Sequence, residues 1–312
     1  MVKHVIKALA FATTLVLLSH APAHAQAART FVASNGNDAA VCSRAAPCRT
    51  FAGAIAKTAA GGAITCVDTA EYGAVTIAKS ISIVCDHTLA AITTAATGVT
   101  VTTAATDTVT LSGLDIEGNG AGVNGINFTG GGTLHVHKVR VRGFRGTTTN
   151  RALGINFVPT AAAKLFVSDS VITDNGAGFG GSGILVAPAS AVVATASIVN
   201  CRVENNLLGI RTIGTPTTTN VAIADSSFVG NSTGIANSGS VLMLSHVVAA
   251  NNSSQGVLNG NAGTTTRIGD SVVSGNATGV LNGSGSFFTS YKNNQIRGNT
   301  TDGTPLPSEI AE

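Results

Sequence analysis

Apolar and polar residues alternate along most of this chain in short runs, and the runs return as a nine-residue phrase. I-A-D-S-S-F-V-G-N, ending at Asn231, is its clearest form. Four earlier copies end at Asn119 (L-S-G-L-D-I-E-G-N), Phe144 (V-H-K-V-R-V-R-G-F), Asn175 (V-S-D-S-V-I-T-D-N) and Asn206 (I-V-N-C-R-V-E-N-N). Three later ones end at Asn252 (L-S-H-V-V-A-A-N-N), Asn276 (I-G-D-S-V-V-S-G-N) and Asn299 (Y-K-N-N-Q-I-R-G-N). Successive last residues are 25, 31, 31, 25, 21, 24 and 23 positions apart. A period of that size marks a solenoid, with each phrase belonging to one rung.

Within the phrase, positions one, four and six are apolar or small, so period-two alternation turns them inward. Position three is often Asp or Asn, which interrupts the alternation and suits a bend. Position nine is Asn in seven of eight copies. Asn tolerates left-handed backbone and can bond neighbouring peptides through its amide, so stacked copies predict an asparagine ladder. A second signature follows each phrase, as in Gly154-Ile155, Gly209-Ile210, Gly234-Ile235 and Gly279-Val280. A third apolar run, such as residues 134–136 or 241–244, leads into the next phrase. Three short strands per coil joined by tight turns describe a parallel β-helix.

Ahead of the clean repeat, short β-rich runs are expected at 63–67, 75–77, 81–85, 99–102 and 108–111. Residues 49–60 place Phe51, Ile55 and Thr58 on one helical face, and this helix is expected to cap the open N-terminal end of the solenoid. Longer connections at 145–153, 176–182 and 213–220 are expected to gather on one side. The resulting division is a signal peptide over 1–25, a leading segment and cap over 26–60, the β-helix over 61–299 and a polar tail over 300–312.

Composition changes the picture in two ways. Aromatic residues are 4% of the chain and charged residues 11%, yet Val and Ile fall at regular places, so the chain is read as ordered. Lys3 and Lys7, an apolar run and Ala23-His24-Ala25 read as a secretory leader cut after Ala25, which predicts a secreted or periplasmic protein. No later stretch resembles a membrane span. Loss of the two lysines lowers the formal net charge from +3 to +1, so no general attraction to nucleic acid follows. Export permits disulfides. Cys42 with Cys48 is expected to form a small loop staple; Cys66 and Cys85, 19 apart in two apolar β-like runs, could bridge neighbouring coils, a pairing the spacing leaves open. Cys201 is left over at an inward position and reads as a buried, unreactive thiol.

The repeat architecture over roughly residues 61–299 resembles the right-handed β-helix superfamily that includes pectate lyases and polygalacturonases. The resemblance implies an all-β, single-stranded right-handed parallel β-helix with an N-terminal helical cap. It carries over no catalytic residue. The N-T-D, D-D, G-H-G and R-I-K motifs of polygalacturonases are missing, Arg267-Ile268-Gly269 lacking the lysine, and so is the R-x-P-x-x-R pattern of pectate lyases.

Outward positions five and seven stack into columns about 4.8 Å per rung. The early rungs concentrate charge there: Asp115 and Glu117, then Arg140 and Arg142, then Arg202 and Glu204 after one neutral rung. His135 and His137 also face out beside them. Arginines hold uronate carboxylates bidentately, which makes Arg140, Arg142 and Arg202 the expected substrate-binding set. A neutral His135 or His137 could take a proton alpha to such a carboxylate. Asp115 and Glu117, two apart on a strand, would have Cα atoms roughly 6.5–7 Å apart, within reach of acid/base hydrolysis. Cross-rung ion pairing alone would also explain these charges. No cofactor is required; Ca²⁺ is the metal that the carboxylates would suit. The function expected is an exported protein that binds or processes a polysaccharide, with an acidic one favoured, as a lyase or hydrolase if catalytic. The alternative is a non-catalytic adhesive or structural scaffold at the cell surface. Oligomeric state is not legible.

Overall fold

The computed structural model describes residues 26–146, 151–176, 178, 180–215 and 217–309. The leader assigned to residues 1–25 lies outside the described residues.

Each turn of the chain contributes one strand to each of three parallel sheets of eleven, ten and ten strands. One rung runs through Gly132–His137 in sheet one, Arg140–Arg142 in sheet two and Leu153–Phe157 in sheet three. The next stacks on it in register, Leu134 beside Leu165, Val141 beside Ile172 and Ile155 beside Ile184. Inward positions carry the core. Val167, Ile172, Ile198, Val203, Ile223 and Phe228 are all buried.

The bend at position three is real and sharp. Gly113, Lys138, Asp169, Asn200, Asp225, His246 and Asp270 all hold positive φ, turning the chain from sheet one into sheet two with one residue. Position nine differs from the sequence expectation. Left-handed backbone falls instead on position eight, at Gly143, Asp174, Asn205, Gly230, Asn251, Gly275 and Gly298, which leaves the following Asn free to point inward. Asn119 alone among the position-nine asparagines takes positive φ, and it stays exposed outside the ladder.

The ladder begins one rung later. Phe144 N–H donates to Asn175 Oδ1, Asn175 N–H to Asn206 Oδ1 and Asn206 N–H to Asn231 Oδ1, at 2.9–3.1 Å, and the series runs on to Asn299. Each Nδ2 donates back to a carbonyl of the preceding rung, as Asn231 does to Val203 O at 3.1 Å. The glycine of the Gly-Ile signature has its reason here. A Cβ on Gly234 would stand 2.7 Å from Gly256 O and 2.9 Å from Asn252 Nδ2, too close for any side chain. Asn231, Asn252 and Asn276 each stand two residues before a Ser or Thr, as in a glycosylation sequon, but they are buried ladder positions whose amides are already bonded.

At the N-terminal end, helix α1 (Phe51–Lys57) covers the first coil. Thr50 caps it by accepting Gly53 N–H, and Phe51 packs on Tyr72 at 5.2 Å between ring centroids. The helix is shorter than expected because Thr58 begins a strand. Its hydroxyl is buried against Thr30 Oγ1 at 2.7 Å, and Thr58–Cys66 pairs with Ala27–Val32, a strand the periodicity did not reveal. The expected Cys42–Cys48 disulfide forms, and Cys66 with Cys85, left open by the spacing, forms a second.

One further expectation needs correcting. The connections at 145–153 and 176–182 join sheet two to sheet three, but 213–220 joins sheet three to sheet one, so the three do not share one corner. The tail is polar but not loose. Thr301–Gly303 adds to sheet three, Leu306 packs on the core, and Glu309 accepts from Arg267 Nε and Thr289 Oγ1. Phe288, an inward position of the last rung, is buried, and Leu306 of the tail packs on the same core.

Asn231→Ala is expected to lower stability by about 2–3 kcal/mol, because it leaves the buried Asn206 N–H and Val203 carbonyl without partners. Urea unfolding followed by circular dichroism reads this as a lowered midpoint; an unchanged midpoint would remove the ladder from the list of stabilising features.

Candidate functional site

The outer face of sheet one carries two registered columns. Thr110, His135 and Phe166 form one, and Ser112, His137 and Ser168 the other. Together with Asp86 they line a shallow groove of about 470 Å³.

His135 lies flat on Phe166, with ring centroids 4.9 Å apart and planes tilted by 9°. Burial beside that ring pushes its pKa below the ordinary 6.5, so the imidazole is neutral at neutral pH. His137 is held differently. Its Nδ1 stands 3.0 Å from Ser168 Oγ and 3.2 Å from Asp169 Oδ2, and Asn200 Nδ2 donates to the other Asp169 oxygen at 2.6 Å. A carboxylate at Nδ1 favours the proton there and leaves the Nε2 lone pair for other work. At the groove's other end, Ser112 Oγ donates to Asp86 Oδ1.

The charges of sheet two form a separate cluster. Arg142 Nε is 3.2 Å from Asp115 Oδ1, and its Nη2 is 2.6 Å from Glu117 Oε2. Hydrogen bonding to Asp115 raises the arginine's pKa further. Acid/base hydrolysis needs two carboxyls free to meet substrate, and here one guanidinium engages both. Arg202 closes on Glu204 of its own strand through two 2.9 Å bonds. Arg140 is exposed beside Asp115 in register, with no ion pair among the described residues. Also among the described residues, no group of three or more His, Cys, Asp or Glu side chains converges as a metal site.

The seven residues singled out from the sequence therefore fall in three places. His135 and His137 share the groove; Asp115 and Glu117 are tied together by Arg142; Arg140 and Arg202 stand two rungs apart on sheet two. Sequence reading missed Asp86, Ser112 and Phe166 as groove partners. It assigned Asp169 to the bend alone, whereas the residue both bends the chain and holds His137. Aligning successive phrases in register was the signal that pairs these positions.

No protein-family model matches the chain, and no curated protein matches it. Solved structures do. Pectate lyase Pel9A superposes with a TM-score of 0.68 at 17% identity, over 91% of this chain and 78% of that one. The chain has the right-handed, pectate-lyase-like β-helix fold. The A-modules of mannuronan C-5 epimerases AlgE4 and AlgE6 from Azotobacter vinelandii also match, at 15% identity. They cover 81% of this chain and 91% and 92% of theirs, with TM-scores of 0.39 and 0.38, too low to carry an argument. At these identities the likeness establishes fold and leaves each site to its own geometry. Among the described residues, no helix of this β-helix is long and apolar enough to cross a membrane.

Cys201 is buried in the core column between Ser170 and Ser226, and burial pushes its thiol up to about 11. It is expected to resist a thiol reagent in the native protein and to react stoichiometrically in denaturant.

The folded state prefers neutral His135, so its contribution to stability is complete above about pH 6.5. That contribution is lost as pH falls through the lowered folded-state pKa. An NMR titration should give a midpoint below 6.5 that moves up in Phe166→Ala; a midpoint indifferent to the ring would break the link between stacking and charge state.

Proposed function

We propose that this protein is exported and binds polysaccharide along the early rungs of sheets one and two, with acidic chains favoured. The observation that carries the reading is the groove in which the His135–Phe166 stack lies beside an Asp169-backed His137. Flat apolar rings suit the faces of sugar rings, and an arginine on the adjoining sheet with no ion pair among the described residues suits a carboxylate. Arg140 is that arginine; Arg142 and Arg202 serve their own carboxylates. The fold is shared with a pectate lyase, which by its name acts on pectate. Two disulfides agree with export, as does the leader read from the sequence.

If the protein turns substrate over, the chemistry open to it is β-elimination. His137 Nε2 would take the proton alpha to a uronate carboxylate, the electrons would form a carbon–carbon double bond, and the glycosidic oxygen would leave and be protonated. Incubation with acidic and neutral polysaccharides, with and without Ca²⁺, separates the cases. Ultraviolet absorbance of an unsaturated product marks a lyase and makes His137→Ala inactive with binding kept. Saturable retention without product marks a binding module. Silence and no retention across the panel would return the protein to the scaffold reading.

Arg140→Ala is expected to weaken acidic oligosaccharide binding roughly tenfold and to leave neutral glycans unaffected. Unchanged affinity for the acidic ligand in the folded variant would remove Arg140 from the site.

A further inference from the structure

The outer face of sheet three holds a second groove, of about 320 Å³, distant in register from the histidines. Arg211 stands at its base, on the strand Leu208–Thr212. Arg151 approaches the same point from the connection between sheets two and three. A Cβ built on Gly180 would lie 2.9 Å from Arg211 Nη1 and 3.5 Å from Arg151 Cδ, so the two side chains meet beneath that glycine. No carboxylate among the described residues is within ion-pair distance of either guanidinium. Arg142, by contrast, is paired with both Asp115 and Glu117. Here burial and the neighbouring Arg151 charge both work against the charged form of Arg211, lowering its pKa.

The column above Arg211 is apolar. Register places Ala236, Leu258 and Leu281 on the three following rungs, in line with it. Leu208, Ala236 and Leu258 line the groove itself, and Leu281, 38% exposed, continues the column one rung beyond that lining. Three rung spacings make a track of roughly 14 Å. A polar strand face would serve a sheet in water equally well, and the earlier rungs of this column have it, with Thr76, Thr100, Asn127 and Asn156. The change from polar to apolar occurs at Leu185, immediately before Arg211.

We infer that this groove is a binding site for an alkyl carboxylate, its carboxylate held between Arg211 and Arg151 and its chain laid along Ala236, Leu258 and Leu281. Two guanidiniums without a counter-ion supply charge-assisted bonds to a carboxylate. The track supplies apolar contact along one direction only, which an extended chain matches and a compact anion does not. The site is independent of the polysaccharide reading, since it shares no residue with it.

Titration calorimetry on the full protein with decanoate, kept below its micelle concentration, tests the inference. Decanoate should bind saturably with one site per chain, and acetate and decanol should each bind at least tenfold more weakly. Arg211→Ala should weaken decanoate at least tenfold, and Arg151→Gln, which alters a connection rather than a strand, should weaken it in the same direction. Arg140→Ala should leave it unchanged. Decanol binding as tightly as decanoate, acetate binding as tightly as decanoate, indifference to both arginine variants, or no saturable binding would each overturn the assignment.

Discussion

Everything in this molecule depends on rungs stacking at a fixed spacing, and the asparagine ladder is what makes a change of one rung costly. The strand ladders alone would tolerate rungs of different shape. The amide of Asn206 does not: its oxygen accepts from Asn175, and its nitrogen donates to Ile172 O and Asn231 Oδ1. Three partners on the two flanking rungs fix the corner between sheets two and three, and the glycine column packs against that corner with no room for a Cβ. Insertions are therefore confined to the segments between the ladder and the next strand, or beyond sheet three, where residues 145–153, 176–182 and 213–220 are found.

A fixed corner turns each outer face into a set of straight columns, and the columns decide where chemistry can occur. On sheet two the columns bring opposite charges together, and Arg142 is spent on Asp115 and Glu117. Exposed pairs of this kind are worth about 0–1 kcal/mol, so they settle the charge of that face more than its stability. On sheet one they bring an aromatic ring under an imidazole and a carboxylate beside another. On sheet three they set an arginine pair at the foot of an apolar track. One backbone thus presents three faces of different character, each made by which side chains fall at the outward positions.

The ends follow from the same geometry. A stack of rungs leaves its first and last apolar layers open, and unpaired strand edges invite further pairing. Helix α1 with Phe51 closes the first layer, and the tail through Leu306 and Glu309 closes the last. The Cys66–Cys85 bridge joins the first two coils, where no asparagine ladder is present to do so.

The sequence by itself determined the repeat, the three strands per rung, the inward positions, the position-three bend and the Cys42–Cys48 staple. Each of these is local: alternation, a turn residue or a spacing repeats often enough to be read from one copy to the next. It also identified the outward charges, because alternation names the residues that leave the core. Which of those charges remain available was decided only by the tertiary structure. Asp115 and Arg142 are 27 residues apart and His137 and Ser168 are 31 apart, and unequal rung lengths hide the register that joins them. The helix end at Lys57, the strand Ala27–Val32 and the docked tail share that reason, since each is set by a partner far along the chain. The Arg151–Arg211 pair is the furthest case. Its two side chains come from an irregular connection and a strand 60 positions on, and only the stacking of the rungs between them makes them neighbours.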